Sequence, residues 1–149
     1  MKPSIHFATS FSIGVVIWFF TKSIYAGALC IASGVLVDSD HLIEFGIQYG
    51  WKNLTFKNVY EVSLRTGTDE EGPRFTRLYL IFHTAEIAIL FWVAFICTQN
   101  IYFLAIAAGY SSHLILDSIG NTISPRSYFM IWRIIKKFKI EKLSKNGKS

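Results

Sequence analysis

Charge is scarce in this chain. Asp, Glu, Lys and Arg make up 17% of its 149 residues, while 52% are hydrophobic and 16% aromatic. An ordinary soluble domain carries about 25% charged residues, so the composition argues against one and for a membrane protein. Cysteine is nearly missing as well. Cys30 and Cys97 both lie inside apolar runs; they are expected to be small buried residues, and a disulfide framework or a cysteine zinc knuckle is excluded. No segment repeats another. The charge that is present is basic and uneven: the net charge is +5, and 8 of the 15 Lys and Arg lie from Arg126 onward. Aromatic and aliphatic residues interleave with those cations, which points to a membrane surface as partner and away from nucleic acid.

What the chain has in quantity is apolar sequence. Residues 5–20, 24–37, 78–98 and 101–119 are predicted as four transmembrane helices. The polar breaks Thr21-Lys22-Ser23 and Gln99-Asn100 are short enough to make two hairpins. A cleaved secretory signal at the N-terminus is the rival reading of residues 1–28, but apolar sequence resumes at once after it. Residues 46–77 form a long connection rich in Gly and charge, with a short element expected around Val59–Leu64; loops of this length in small proteins are usually functional. Ser124-Pro125 signals a helix start. From Tyr128 to Leu143, apolar residues at helical spacing among Arg133, Lys136, Lys137 and Lys139 predict an interfacial amphipathic helix. The expected fold is thus an all-α membrane protein. It comprises a four-helix membrane domain over 1–125 and a basic amphipathic helix with a disordered tail over 126–149. Loop charges place both termini and the long loop on the cytoplasmic side of the cell's inner membrane.

The residues that interrupt the apolar runs carry the chemistry. Asp38-Ser39-Asp40-His41 ends the second run, His6 begins the first, His83-x-x-Glu86 lies early in the third and His113-x-x-x-Asp117 late in the fourth. On an up-down-up-down bundle all fall in the cytoplasmic half, and the i, i+3 and i, i+4 spacings put each pair on one helix face. Acids are costly in a membrane helix, at about 2.5–3.5 kcal/mol each near its centre. A bound divalent cation offsets that cost. His6, Asp38, His41, His83, His113 and Asp117 are therefore the expected metal ligands. Asp40 joins them only if the chain turns there, or else orients a histidine. Asp40 and Glu86 are the candidate general bases, and Glu44 is read as a solvated charge. Mixed imidazole and carboxylate ligands suit zinc first, then manganese or iron, with one or two ions.

These residues also form a recognisable pattern. His6, then Val37-Asp38-Ser39-Asp40-His41, then Phe82-His83-Thr84, then Gly109-Tyr110-Ser111-Ser112-His113-Leu114-Ile115-Leu116-Asp117 resembles the YdjM-like (LexA-regulated) membrane-bound metal-dependent hydrolases over most of residues 5–132. The Gly-Tyr-x-Ser-His-x-x-x-Asp segment is the most specific part. The chain departs from that pattern in having Val37 where a Pro is usual. In the third helix Leu78 stands in place of a first histidine, with Glu86 as its substitute. The resemblance implies a hydrolase akin to zinc-dependent phospholipases C.

The expected function is a membrane-bound, metal-dependent hydrolase acting on a lipid phosphodiester or ester near the cytoplasmic surface. The alternatives are a non-catalytic membrane protein with a structural metal and a metal or proton carrier. A carrier would need access from both faces, and the far halves of the helices offer little polarity.

Overall fold

A computed structural model describes residues 2–68 and 71–145 of the chain. Among them the regular structure is helical: α1 Pro3–Thr21, α2 Ile24–Leu36, α3 Asp40–Tyr49, α4 Phe56–Arg65, α5 Ala85–Thr98, α6 Ile101–Gly120, α7 Met130–Ile135 and α8 Ile140–Leu143. Three segments are long and apolar enough to cross a membrane: Pro3–Thr21, Ile24–Tyr49 (α2 and α3 together) and Ile101–Gly120.

The two hairpins form as their breaks predict. Lys22 and Gln99 take the left-handed conformation that closes each tight turn, and Ser23 and Asn100 then cap the following helices by accepting from Ala26 and Tyr102 N–H. α1, α2 and α6 pack closely because small residues meet at their crossing. A Cβ on Gly109 would lie 2.0 Å from the Cys30 carbonyl, and one on Gly34 2.0 Å from Ser10 Oγ. In this half the core is made of Ile17, Ala26, Cys30 and Ala105, while large apolar side chains such as Phe19, Phe20, Leu90 and Ile96 point outward. A protein turned inside out in this way has its greasy surface where lipid tails lie.

The other half is built differently. A 3-10 turn over Val37–Ser39 joins α2 to α3 and supplies the turn that Asp40 needed. α4 folds back over the end of the bundle and buries Val59 and Val62, which makes the long connection a structured cover. Phe75, Leu78, Leu80, Ile123, Tyr128, Ile140 and Leu143 fill the second core beneath it.

Two expectations change. The third apolar run is helical only over the 14 residues of α5, about 21 Å at 1.5 Å per residue. Residues 78–84 instead run as irregular backbone beside α3. The C-terminal segment is not one amphipathic helix lying free. It breaks into a 3-10 turn at Pro125–Tyr128, then α7 and α8, with Lys137 and Phe138 in the left-handed region between them. Backbone bonds tie it to the rest: Leu78 N to Phe138 O at 2.9 Å, Ser124 N to Leu143 O at 2.8 Å and Lys145 N to Thr122 O at 2.7 Å. Ser144 and Lys145, expected in a disordered tail, are thus held in place; 146–149 lie outside the described residues.

Candidate metal centre

Helix ends bring the chemistry together. α6 is an unbroken 20-residue helix, so His113 and Asp117 lie one turn apart on its buried face. The Val37–Ser39 turn swings Asp38 inward from α2. His83 comes from the irregular 78–84 segment, just before Thr84 at the N-cap position of α5. One ligand atom from each of Asp38, His83, His113 and Asp117 lies within 4.8 Å of all the others.

The distances are those of a coordination polyhedron. His83 Nε2 is 3.1 Å from His113 Nε2, 3.5 Å from Asp38 Oδ1 and 3.4 Å from Asp117 Oδ2. His113 Nε2 is 3.5 Å from Asp38 Oδ1 and 3.4 Å from Asp117 Oδ2. Four donors held about 2.0–2.2 Å from one ion at tetrahedral angles sit about 3.3–3.6 Å apart.

The second ring nitrogen of each histidine supports this. His83 Nδ1 is 2.9 Å from Asp40 Oδ1, and His113 Nδ1 is 2.7 Å from the Gly34 carbonyl. An acceptor at each Nδ1 fixes the proton there and leaves both Nε2 lone pairs facing the cluster centre. This is the usual way a metal-ligating histidine is oriented. His6 lies at the edge: 1% exposed, it stacks on His113 at 3.9 Å between ring centroids, and its Nε2 is 3.1 Å from Asp117 Oδ1. This is a buried ion-pair contact, and His6 Nδ1 has no hydrogen-bond partner among the described residues. The donor set and its spacing fit a divalent cation.

Of the remaining sequence candidates, Asp40 and His41 form a second group with His83, one ligand atom of each lying within 4.8 Å of the others. Asp40 is 3% exposed and fully engaged, by His83 on one oxygen and by Phe82 N–H at 2.8 Å on the other. It orients His83, and a general-base role does not suit it. Glu86 is not part of the cluster. Its Oε1 accepts from Ile131 N–H at the start of α7 and its Oε2 is buried without a hydrogen-bond partner among the described residues; a local charge near α5 gave no warning that α7 would fold onto it. His41 stands beside the four-donor set, its Nε2 3.7 Å from Asp38 Oδ1 and its Nδ1 unpartnered. Glu44 is buried, contrary to the solvated reading, and accepts from the N–H groups of Tyr79 and Leu80 at 3.0 and 3.1 Å and from Gln48.

No protein-family model, curated protein or solved structure matches this chain. The site must therefore be read from its own geometry.

Two residues shape the site that the sequence did not single out. Arg133 is 1% exposed and spends its hydrogen bonds on carbonyls: Tyr79 at 2.8 Å, Leu80 at 2.6 Å, and also His83 and Ser127. With Glu44 and Asp40 holding the N–H groups of Tyr79, Leu80 and Phe82, charged side chains satisfy the backbone of 78–84 that no helix satisfies. Burial lowers the Arg133 pKa from its usual value, opposed by Asp40 and Glu86. Tyr128 is the second. Burial, and then the charge of Asp117, push its phenol above the usual range, so it stays a neutral hydroxyl. Tyr128, Asp38, His41, His83 and Asp117 all line one largely apolar cavity of about 860 Å³. Ligand pockets span about 300–1,000 Å³.

Proposed function

We propose that the protein is a membrane-bound metal-dependent hydrolase of a lipid phosphodiester or ester. The observation that carries this reading is the four-donor cluster, its two imidazole nitrogens 3.1 Å apart and 3.4–3.5 Å from the carboxylate oxygens of Asp38 and Asp117, opening into an apolar cavity large enough for a lipid chain. Asp38, His83, His113 and Asp117 would hold one ion, and two imidazoles with two carboxylates favour zinc, then manganese or iron. A divalent metal bound there supplies Lewis acidity towards a phosphoryl or carbonyl oxygen and acidifies water.

The chain's own groups do the rest. His41 lines the cavity and is half-buried, and its Nδ1, turned away from solvent, has no hydrogen-bond partner among the described residues; in this reading the imidazole takes the proton from water as the new P–O or C–O bond forms. It returns that proton to the departing oxygen as the ester bond breaks. Tyr128 offers a neutral O–H to the substrate. Asp40 and Arg133 keep His83 in register. A purely structural metal would favour a closed shell; the 29% exposure of the Asp38 side chain and the cavity beside it favour catalysis.

In the membrane, α5 with the anchored 78–84 segment makes the fourth crossing. The basic connection and C-terminal segment then face the cytoplasm, with both termini. The resemblance to the YdjM-like hydrolases accords with this reading.

The test is turnover of a phospholipid panel by purified protein supplied with zinc or manganese, compared with His113→Ala. Metal-dependent turnover lost in the variant is the expected result; equal turnover by both proteins would reject the site.

A further inference from the structure

The mouth of the cavity is apolar and bare. Ile5 opens α1, Leu36 closes α2, and Phe56, Tyr60 and Leu64 form one stripe at i, i+4 and i+8 along α4; all five line the cavity. All five are also 40–85% exposed. A water-facing doorway made of five large apolar side chains would be a liability. α1 and the α2–α3 segment are two of the three segments long and apolar enough to cross a membrane. Ile5 lies near the start of α1 and Leu36 at the end of α2, where the chain turns into α3. The doorway therefore opens between lipid-facing helices, beside lipid rather than water. Lys2 is an exposed cation on the same wall. The other cation there, Arg133, has its donors committed to carbonyls. Deeper in, Val59, Ser63 and Leu78 line the wall.

We infer that a membrane phospholipid enters this cavity sideways from the bilayer. Its acyl chain passes between α4 and the ends of α1 and α2, and its phosphate stays near Lys2 and the cluster. The ligand class is a phospholipid. The hydrolase reading supplies only what happens to the headgroup; the acyl-chain site stands without turnover.

The experiment uses the full chain in nanodiscs containing phosphatidylglycerol with a diazirine at the acyl end, with crosslinks mapped by peptide mass spectrometry. Labels on the cavity wall around Val59, Ser63 and Leu78 are expected. Ser63→Phe fills the cavity and Leu64→Asp puts a charge in the doorway. Each should cut cavity labelling about tenfold, since an unpaired charge or lost volume opposes an apolar ligand. Two variants on partly exposed α4 positions guard against misfolding in one. Labels confined to outward residues such as Phe19, Phe20 and Leu90, or cavity labelling unchanged in both variants, would overturn the inference. Turnover separates the two claims. Cavity labelling without hydrolysis sinks the hydrolase reading alone; hydrolysis without cavity labelling sinks the acyl-chain site alone.

Discussion

His83 and His113 face each other through their Nε2 atoms at 3.1 Å while each ring presents Nδ1 to an oxygen acceptor. Two lone pairs at that distance repel unless a metal ion or a shared proton lies between them. The pair is therefore the point where metal loading and stability meet. Chelation should lower the thermal midpoint: ligand at 100 times its Kd adds about 2.7 kcal/mol, or about 5–10 °C for a chain this size. His83→Ala and His113→Ala should each abolish the chelator-sensitive shift, and elemental analysis should find their metal content near zero.

Asp40→Asn should keep the fold and weaken the metal. The amide still accepts one hydrogen bond but no longer fixes the His83 tautomer as a carboxylate does. Loss of such a partner typically costs about 10–100-fold in metal affinity. Competition with a chromogenic chelator measures it, and an affinity equal to wild type would remove Asp40 from the site.

Arg133→Ala should be among the most damaging single changes. It strands the carbonyls of Tyr79, Leu80, His83 and Ser127 in a buried setting, at about 1–3 kcal/mol for each group left unpaired. Arg133→Lys should recover part of the loss, because an ammonium reaches fewer of these carbonyls than a planar guanidinium does. Denaturation in detergent, with metal content read in parallel, tests both.

Metal retention should fall as the medium turns acidic. Ligation needs unprotonated imidazoles and ionised carboxylates, so protons compete with the ion and affinity rises with pH. Equilibrium dialysis from about pH 5 to about pH 8 should show the bound fraction climbing. Binding that ignores pH would argue against histidine ligands.

Glu44→Gln separates burial from solvation at a residue whose sequence context suggested a surface charge. The carboxylate takes two backbone N–H bonds from the 78–84 segment and one from Gln48. A solvated Glu would tolerate the change within about 0.5 kcal/mol. The buried one should lose about 1 kcal/mol or more, read as a lowered unfolding midpoint.

The sequence by itself determined the membrane character, the two hairpins and the faces of the paired ligands. Apolar runs bounded by short polar turns leave few alternatives, and spacings such as His113–Asp117 place residues on one helix face by arithmetic. Only the tertiary structure decided the roles. Asp38 and Asp40 are two residues apart, yet the turn at Val37–Ser39 sends one to the cluster and the other behind His83. The helical period carried residues 78–84 into α5, because local hydropathy cannot register that Glu44, Asp40 and Arg133, far away in the chain, satisfy that backbone better than a helix would. Glu86, Arg133 and Tyr128 took their parts from the folding-back of the C-terminal segment. That contact is long-range, and no periodicity within one segment encodes it.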